Sequence, residues 1–248
     1  MILFVLEGTH PDVNLYKSLM RVCGIAADSV CAVYGCNIDA LYHEMIELGE
    51  GADIVEVLRD KSRGSKKDPF IGIDRSDVFS EIYLIFDYDF HDVNRDPEEM
   101  NNQLMYLLDY FDEETEHGKM YINYPMVESI RYTKQIPDSS FFQYTVSRDD
   151  CRNFKNIAAD FSFYPNLDFI TRGTEESLYN NWLVLKEQNV SKANYICNGE
   201  CSFPPKSRDS ISQKRILQHQ ISDYENLNGC RVSVLSSYPI LMYDWLGR

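Results

Sequence analysis

No apolar run in this sequence approaches the roughly 18 residues a helix needs to cross a bilayer, so no transmembrane segment is expected. Positive charge is scarce as well: 24 Lys and Arg stand against 39 Asp and Glu, for a net charge of −15 and a sequence pI near 4.7. Such a molecule repels phosphate backbones at long range, which excludes free capture of nucleic acid by overall charge. Any nucleic-acid role must rest on a local basic patch, a metal or a partner. Disulfide scaffolding is also excluded as an expectation. The cysteines number seven, an odd count with irregular spacing, and the opening MILFVLEG lacks a basic leader segment, so a cytoplasmic protein with reduced thiols is expected. Cys197, Cys201 and Cys230 with His219 could be assembled into a zinc site, but their order and gaps fit no finger pattern, and small buried thiols explain them better. The phosphate loop G-x-x-x-x-G-K-[ST], G-x-G-x-x-G, H-E-x-x-H and G-x-S-x-G are all missing, which disfavours an autonomous ATPase, a dinucleotide enzyme, a zincin or an elbow-type hydrolase. There is no internal repeat and no low-complexity tract.

What is present is a foldable core. Hydrophobic residues make up 44% of the 248, with 17 Tyr and 13 Phe, enough for one large α/β domain or a smaller one with an appendage. Ile2 to Leu6 reads as a buried strand stopping at Glu7-Gly8. A helix follows with Asp12 as its N-cap and Gly24 as its end, then a second from Ile38 to Leu48 between Asn37 and Gly49. Asp53 to Leu58 alternates like a strand, and Arg59 to Phe70 reads as a mobile surface loop. Pro97 to Phe111 is expected as a helix and Lys119 to Tyr124 as a strand. That rhythm predicts a mainly parallel sheet flanked by helices, with ligands gathering at the carboxyl ends of the strands. From Pro125 the pattern turns mostly helical, with segments expected at Met126 to Ile130, Cys151 to Phe163, Leu178 to Glu187 and Ile211 to Tyr224, and a late strand near Val232 to Leu235. The expected organisation is a core over residues 1–130 and a helical extension over 131–248 packed on it.

One stretch carries chemistry. Glu81 to Asp92, EIYLIFDYDFHD, is a doubly apolar strand that runs into Asp87, Asp89 and Asp92. On a pleated strand residues i and i+2 share a face, so Asp87 and Asp89 are expected to point the same way and could hold a hard cation between them, although acids that only solubilise the loop leaving a buried strand read the same way. Asp92 is a further candidate ligand and His91 a candidate base. The densest positive stretch, around Gly64, supplies Lys61, Arg63, Lys66 and Lys67 as candidate phosphate contacts, although a merely solvated loop reads the same way.

At LEG (Leu6 to Gly8) and FDYD (Phe86 to Asp89), two short motifs at two strand ends in this order, the chain resembles the Toprim fold family of primases, topoisomerases, small ribonucleases and overcoming-lysogenization-defect nucleases. YPMVES (Tyr124 to Ser129) resembles the segment that holds a further glutamate in Toprim-like nucleases of bacterial abortive-infection and anti-phage systems, which usually work beside an ATPase. The resemblance implies a Toprim-like α/β core and an endonuclease acting on DNA or RNA. It also implies catalytic roles for Glu7, Asp87, Asp89 and Glu128, and one or two Mg2+ or Mn2+ ions on Glu7, Asp87 and Asp89; Asp92, where this chain departs from the pattern, is a candidate additional ligand. A defence ATPase as controlling partner belongs to the same expectation. Phe90, His91 and Asp92 stand where many members place a glycine after Asp-x-Asp. Independently of the family, carboxylates alone would repel a phosphodiester, so their convergence would itself call for divalent cations. A regulatory subunit that keeps this fold without chemistry is the alternative, and another phosphoryl-transfer enzyme at the same site is a third.

Overall fold

The computed structural model describes residues 1–49, 51–62, 69–70, 72–73, 75–89, 95–226 and 231–247. It opens with β1 (Ile2–Leu6), α1 (His10–Cys23), β2 (Ser29–Val33), α2 (Ile38–Leu48), α3 (Ile54–Ser62) and β3 (Glu81–Asp87). Then follow α4 (Pro97–Tyr110), β4 (Asp112–Glu113), β5 (Gly118–Asn123), a 3-10 turn at Val127–Arg131 and β6 (Thr145–Ser147). The chain closes through α5 (Arg148–Cys151), α6 (Phe154–Phe161), α7 (Asp168–Thr171), α8 (Glu175–Asn198), α9 (Gln213–Asn226), β7 (Arg231–Ser233) and α10 (Ser237–Leu246).

The protein is an α/β fold on a five-stranded sheet of order β2-β1-β3-β5-β4, parallel except for β4, as expected from the alternation of strands and helices. Every residue of β1 is buried, and so are Ile82 to Phe86 of β3, which is why both read as continuous apolar runs. β1 lies between β2 and β3 with Leu6 opposite Val33 on one side and Ile85 on the other. The chain leaves β1 towards β2 but leaves β3 towards β5, so the sheet has its topological switch point between the carboxyl ends of β1 and β3. In open α/β sheets a crevice for ligands forms at that place.

The second half of the chain completes the walls of this crevice. Leu235 and Tyr124 exchange both backbone hydrogen bonds, at 2.8 and 2.9 Å, which brings the start of α10 to the end of β5. α8 packs along α10 and α1. Its Trp182, fully buried, donates its indole N–H to Ser18 Oγ of α1 at 3.1 Å. The hydrophobic core runs without a break from β1 to Met242.

Several local expectations change. Asp53 to Leu58 is not a strand: Ile54, Val55, Val57 and Leu58 are buried and Glu56 is exposed, which is a helical i, i+1, i+3, i+4 pattern as well as an alternating one. Asp53 starts that helix, its carboxylate accepting the Val55 N–H at 2.8 Å and the Ser76 N–H and hydroxyl. Arg59 to Ser62 therefore belongs to α3 and not to a loop. Glu128 is the second residue of a five-residue 3-10 turn, Val127–Arg131, rather than part of an α-helix. α8 runs well beyond the expected Leu178–Glu187, because nothing between its Thr174 cap and Gly199, at φ 71°, interrupts it. β2 escaped notice as a short, largely half-buried edge strand. Val232 does lie in a strand, but one that pairs with β6 outside the main sheet.

Candidate acidic site at the switch point

Glu7 is the first residue past β1. Its backbone N–H still reaches Ile85 O at 3.1 Å, which continues the β1–β3 ladder one step and aims the side chain across the crevice. There Glu7 Oε2 accepts the backbone N–H of Asp87 at 2.8 Å. The first motif is thereby tied directly to the second.

Asp87 ends β3 opposite Asn123 of β5. The Asn123 amide donates to Asp87 Oδ1 at 3.0 Å, while its own oxygen accepts the Ser237 N–H and hydroxyl at 3.0 and 2.9 Å. Asn123 is fully buried, so this bridge fixes the Asp87 carboxylate against the start of α10.

Asp89 lies beyond the strand end with φ 50°, the one non-glycine residue described in the left-handed region. Aspartate tolerates that conformation better than most residues, but it still carries a cost that functional sites tend to hold. The turn, not a shared strand face, brings Asp89 back into the electrostatic reach of both Glu7 and Asp87.

A fifth carboxylate joins these and Glu128: Asp12. It does not cap α1, whose cap position is Thr9; it sits in the first turn and faces inward, almost wholly buried. Its Oδ1 accepts the hydroxyl of the buried Tyr238 at 2.9 Å, and a Cβ on Gly8 would fall 2.7 Å from its Oδ2. Gly8 is thus required by close approach. Gly8→Ala is expected to push the Asp12 carboxylate aside and cost about 1–3 kcal/mol, read from urea unfolding, with an unchanged midpoint removing this account of the glycine.

The electrostatics follow from burial with little countercharge, Arg131 acting on Glu128 from beyond ion-pair distance. Among the described residues no Lys or Arg forms an ion pair with Glu7, Asp12, Asp87 or Glu128. Burial, then the charges of Asp89 and Asp12, push Glu7 up to about 8 against the pull of the Asp87 N–H. Burial likewise raises Asp12 to about 6, with Glu128 adding to it and the Tyr238 hydroxyl opposing it. Asp87 is raised well above the carboxylate range by burial and then by Glu7, Asp12 and Asp89. The interactions chain from Asp89 through Glu7 and Asp87 to Asp12 and on to Glu128.

Compared with protein-family models, with curated proteins and with solved structures, the chain matches none.

The donor set is all carboxylate oxygen, which suits a hard divalent cation. Among the described residues, however, no three carboxylates, imidazoles or thiolates are gathered into a ready coordination shell. Asp92 and His91 fall outside the described residues, as do Arg63, Lys66, Lys67 and Cys230. The Lys61 ammonium pairs with Glu44 at 2.8 Å, meets Cys36 Sγ at 3.6 Å and lies over the Tyr34 ring. Cys197 is buried, its thiol pushed up to about 11, and Cys201 is exposed, neither in a metal group among the described residues. No helix among the described residues is long and apolar enough to cross a membrane.

Two hollows flank the acids. Asp89 lines a cavity of about 210 Å³ with Tyr88, Arg95 and Arg152. Glu128 lines a wider groove of about 690 Å³ between α1 and the segment from Lys155 to Leu178. Neither Asp12 nor the groove was legible as part of a site in the sequence. Asp12 resembled an ordinary cap, and its partner Tyr238 comes from the other end of the chain.

Proposed function

We propose that the chain is a Toprim-like, Mg2+-dependent nuclease that hydrolyses phosphodiesters at the β1–β3 switch point. The observation that supports this most is the bond from the Asp87 N–H to Glu7 Oε2, which joins the two motifs in one crevice with three more carboxylates in electrostatic reach. Glu7, Asp87 and Asp89 are the residues that would hold the ion, with Asp12 and Glu128 on the substrate side. A bound Mg2+ or Mn2+ supplies the positive charge that lets carboxylates and a phosphodiester share one site, and polarises the phosphoryl oxygens.

The protein's own part is orientation and proton handling. Asn123 holds Asp87 in place, and Tyr238 holds Asp12. Glu7, raised to about 8, carries a proton at neutral pH in the metal-free state and would release it on holding the ion. The described cysteines are free thiols, which supports a reducing, cytoplasmic setting. Control by a partner ATPase, as in the defence nucleases it resembles, fits the acidic surface, since a net charge of −15 makes a poor free scavenger of nucleic acid. The non-catalytic reading draws on one observation, the lack of a ready coordination shell among the described residues.

Cleavage of labelled DNA or RNA separates the two. The wild type is expected to cleave one of them in Mg2+ and not in EDTA. Asp89→Asn is expected to lose that activity by at least about a thousandfold with a melting temperature near wild type, because asparagine keeps the left-handed turn. Full activity in Asp89→Asn, or none in the wild type with its partner present, removes the nuclease reading.

A further inference from the structure

The groove beside Glu128 concentrates positive charge in a protein that has little of it. Lys17 and Arg21 project from α1 and Lys155 from α6, all three exposed and, among the described residues, none in an ion pair. Other cations of the groove are committed elsewhere. Arg172 pairs with Asp168 at 3.2 Å, and the buried Arg131 spends its guanidinium on the Pro165 and Lys155 carbonyls at 2.6 and 2.8 Å. Arg131 thereby fixes the groove wall to the turn that carries Glu128. Lys17 and Arg21 stand on the α1 wall and Lys155 on the opposite one, and Glu128, the last member of the acid row, lines the same groove.

An aromatic side chain adds a second feature. Phe163, two residues ahead of Pro165 in the groove wall, is 68% exposed, the most exposed large apolar side chain described, and meets only an edge contact with Tyr164 at 5.0 Å among the ring pairs. An exposed ring two residues from the lining of a groove that carries unpaired cations suits unpaired nucleic acid: the cations follow phosphates and the ring stacks a base, whatever its identity.

We infer that this groove binds single-stranded nucleic acid, with Lys17, Arg21 and Lys155 on consecutive phosphates and Phe163 stacked on a base, and leads the strand to the acids at the switch point. The inference rests on the nuclease reading for what happens at the acids, but not for binding. The global charge does not prevent this contact, because at physiological salt the field of distant carboxylates is screened within about 8 Å. Beside the stretch around Gly64, where Lys61 pairs with Glu44, the groove offers a second place for phosphates. It gives the residues after 131 a direct part in substrate handling.

The test is fluorescence anisotropy with labelled 20-mer DNA and RNA, single-stranded and duplex, in EDTA so that no cleavage is needed. The wild type is expected to bind a single strand more tightly than the matching duplex, the DNA and RNA arms telling which sugar is preferred. The triple variant Lys17→Gln, Arg21→Gln, Lys155→Gln should weaken binding about tenfold or more and lower the slope of log affinity against log salt by about 2. Phe163→Ala should weaken single-strand binding by about 5- to 100-fold and leave the salt slope alone. All four side chains are exposed, so melting temperatures serve as a check that the variants fold. Wild-type affinity and slope in the triple variant, tighter binding to duplex, or no binding by the wild type each overturns the groove assignment. A groove that binds as described in a protein that never cleaves would remove the nuclease reading alone; cleavage and binding both unchanged in the triple variant would remove the groove alone.

Discussion

Asp87→Asn is expected to abolish Mg2+-dependent cleavage and, in the metal-free protein at pH 8, to raise the melting temperature. The two effects have one cause. Asp87 is surrounded by packed protein and by Glu7, Asp12 and Asp89, and its only described side-chain hydrogen bond is from Asn123, which an asparagine oxygen accepts equally well. Replacing the carboxylate keeps that bond and removes a charge that burial and three neighbouring acids disfavour. The side chain keeps some exposure to solvent, which tempers the gain in melting temperature without changing its sign. The sign depends on pH. Because the folded-state pKa is raised, wild-type stability falls as pH climbs, so the advantage of the variant is largest at pH 8 and vanishes near pH 4. A purely structural carboxylate would show the reverse, with stability lost and activity following it. Destabilisation at pH 8, or retained cleavage, would sink the assignment. Measurements are thermal melts in EDTA at the two pH values and single-turnover cleavage in Mg2+.

The fold was readable where burial is extreme. β1 and β3 are shielded on both faces, so hydrophobic runs alone mark them, and the motif positions at their ends follow. Legibility failed where two periods coincide: Ile54, Val55, Val57 and Leu58 satisfy a helix as well as a strand, and the deciding residue is Asp53, whose capping bonds include Ser76 from further along the chain. It failed again where an inward acid sits beside a helix start. Asp12 and Thr9 are both good caps by residue type, and only the Tyr238 hydroxyl and the close approach of Gly8 turn Asp12 to the crevice. Charge density along the chain points to the stretch around Gly64, most of which lies outside the described residues, whereas the groove cations Lys17, Arg21 and Lys155 come from distant parts of the sequence and meet only because α1 and the segment after β6 pack together. Convergence of that kind is invisible to linear charge density.

The metal-free protein is further expected to lose stability steadily between pH 5 and pH 8, and Mg2+ to restore it. Glu7 moves from 4.5 to about 8 and Asp12 from 3.8 to about 6 on folding, and Asp87 moves the same way. In that window the folded state therefore binds more protons than the unfolded chain, and stability declines as pH rises. Asp138 works in the opposite sense, its carboxyl lowered by the Lys134 and Ser140 N–H groups and the Tyr144 and Thr133 hydroxyls, but its contribution is lost only below about pH 4 and adds no slope here. Neighbouring acids titrate together, so the shifts do not add, and a total of about 3 kcal/mol across the window, or roughly 6–12 °C, is the expected scale. A cation among the carboxylates cancels the repulsion that causes the loss. Its stabilising effect should therefore be small at pH 5, where bound protons compete with it, and reach about 2–3 kcal/mol at pH 8 at about a hundred times its dissociation constant. Combining Glu7→Gln with Asp87→Asn should flatten both the pH slope and the Mg2+ response. Melts in EDTA and in Mg2+ at pH 5 and 8 decide it: a wild type whose stability is flat or rises over this range, or that ignores Mg2+ at pH 8, has no cation site among these acids.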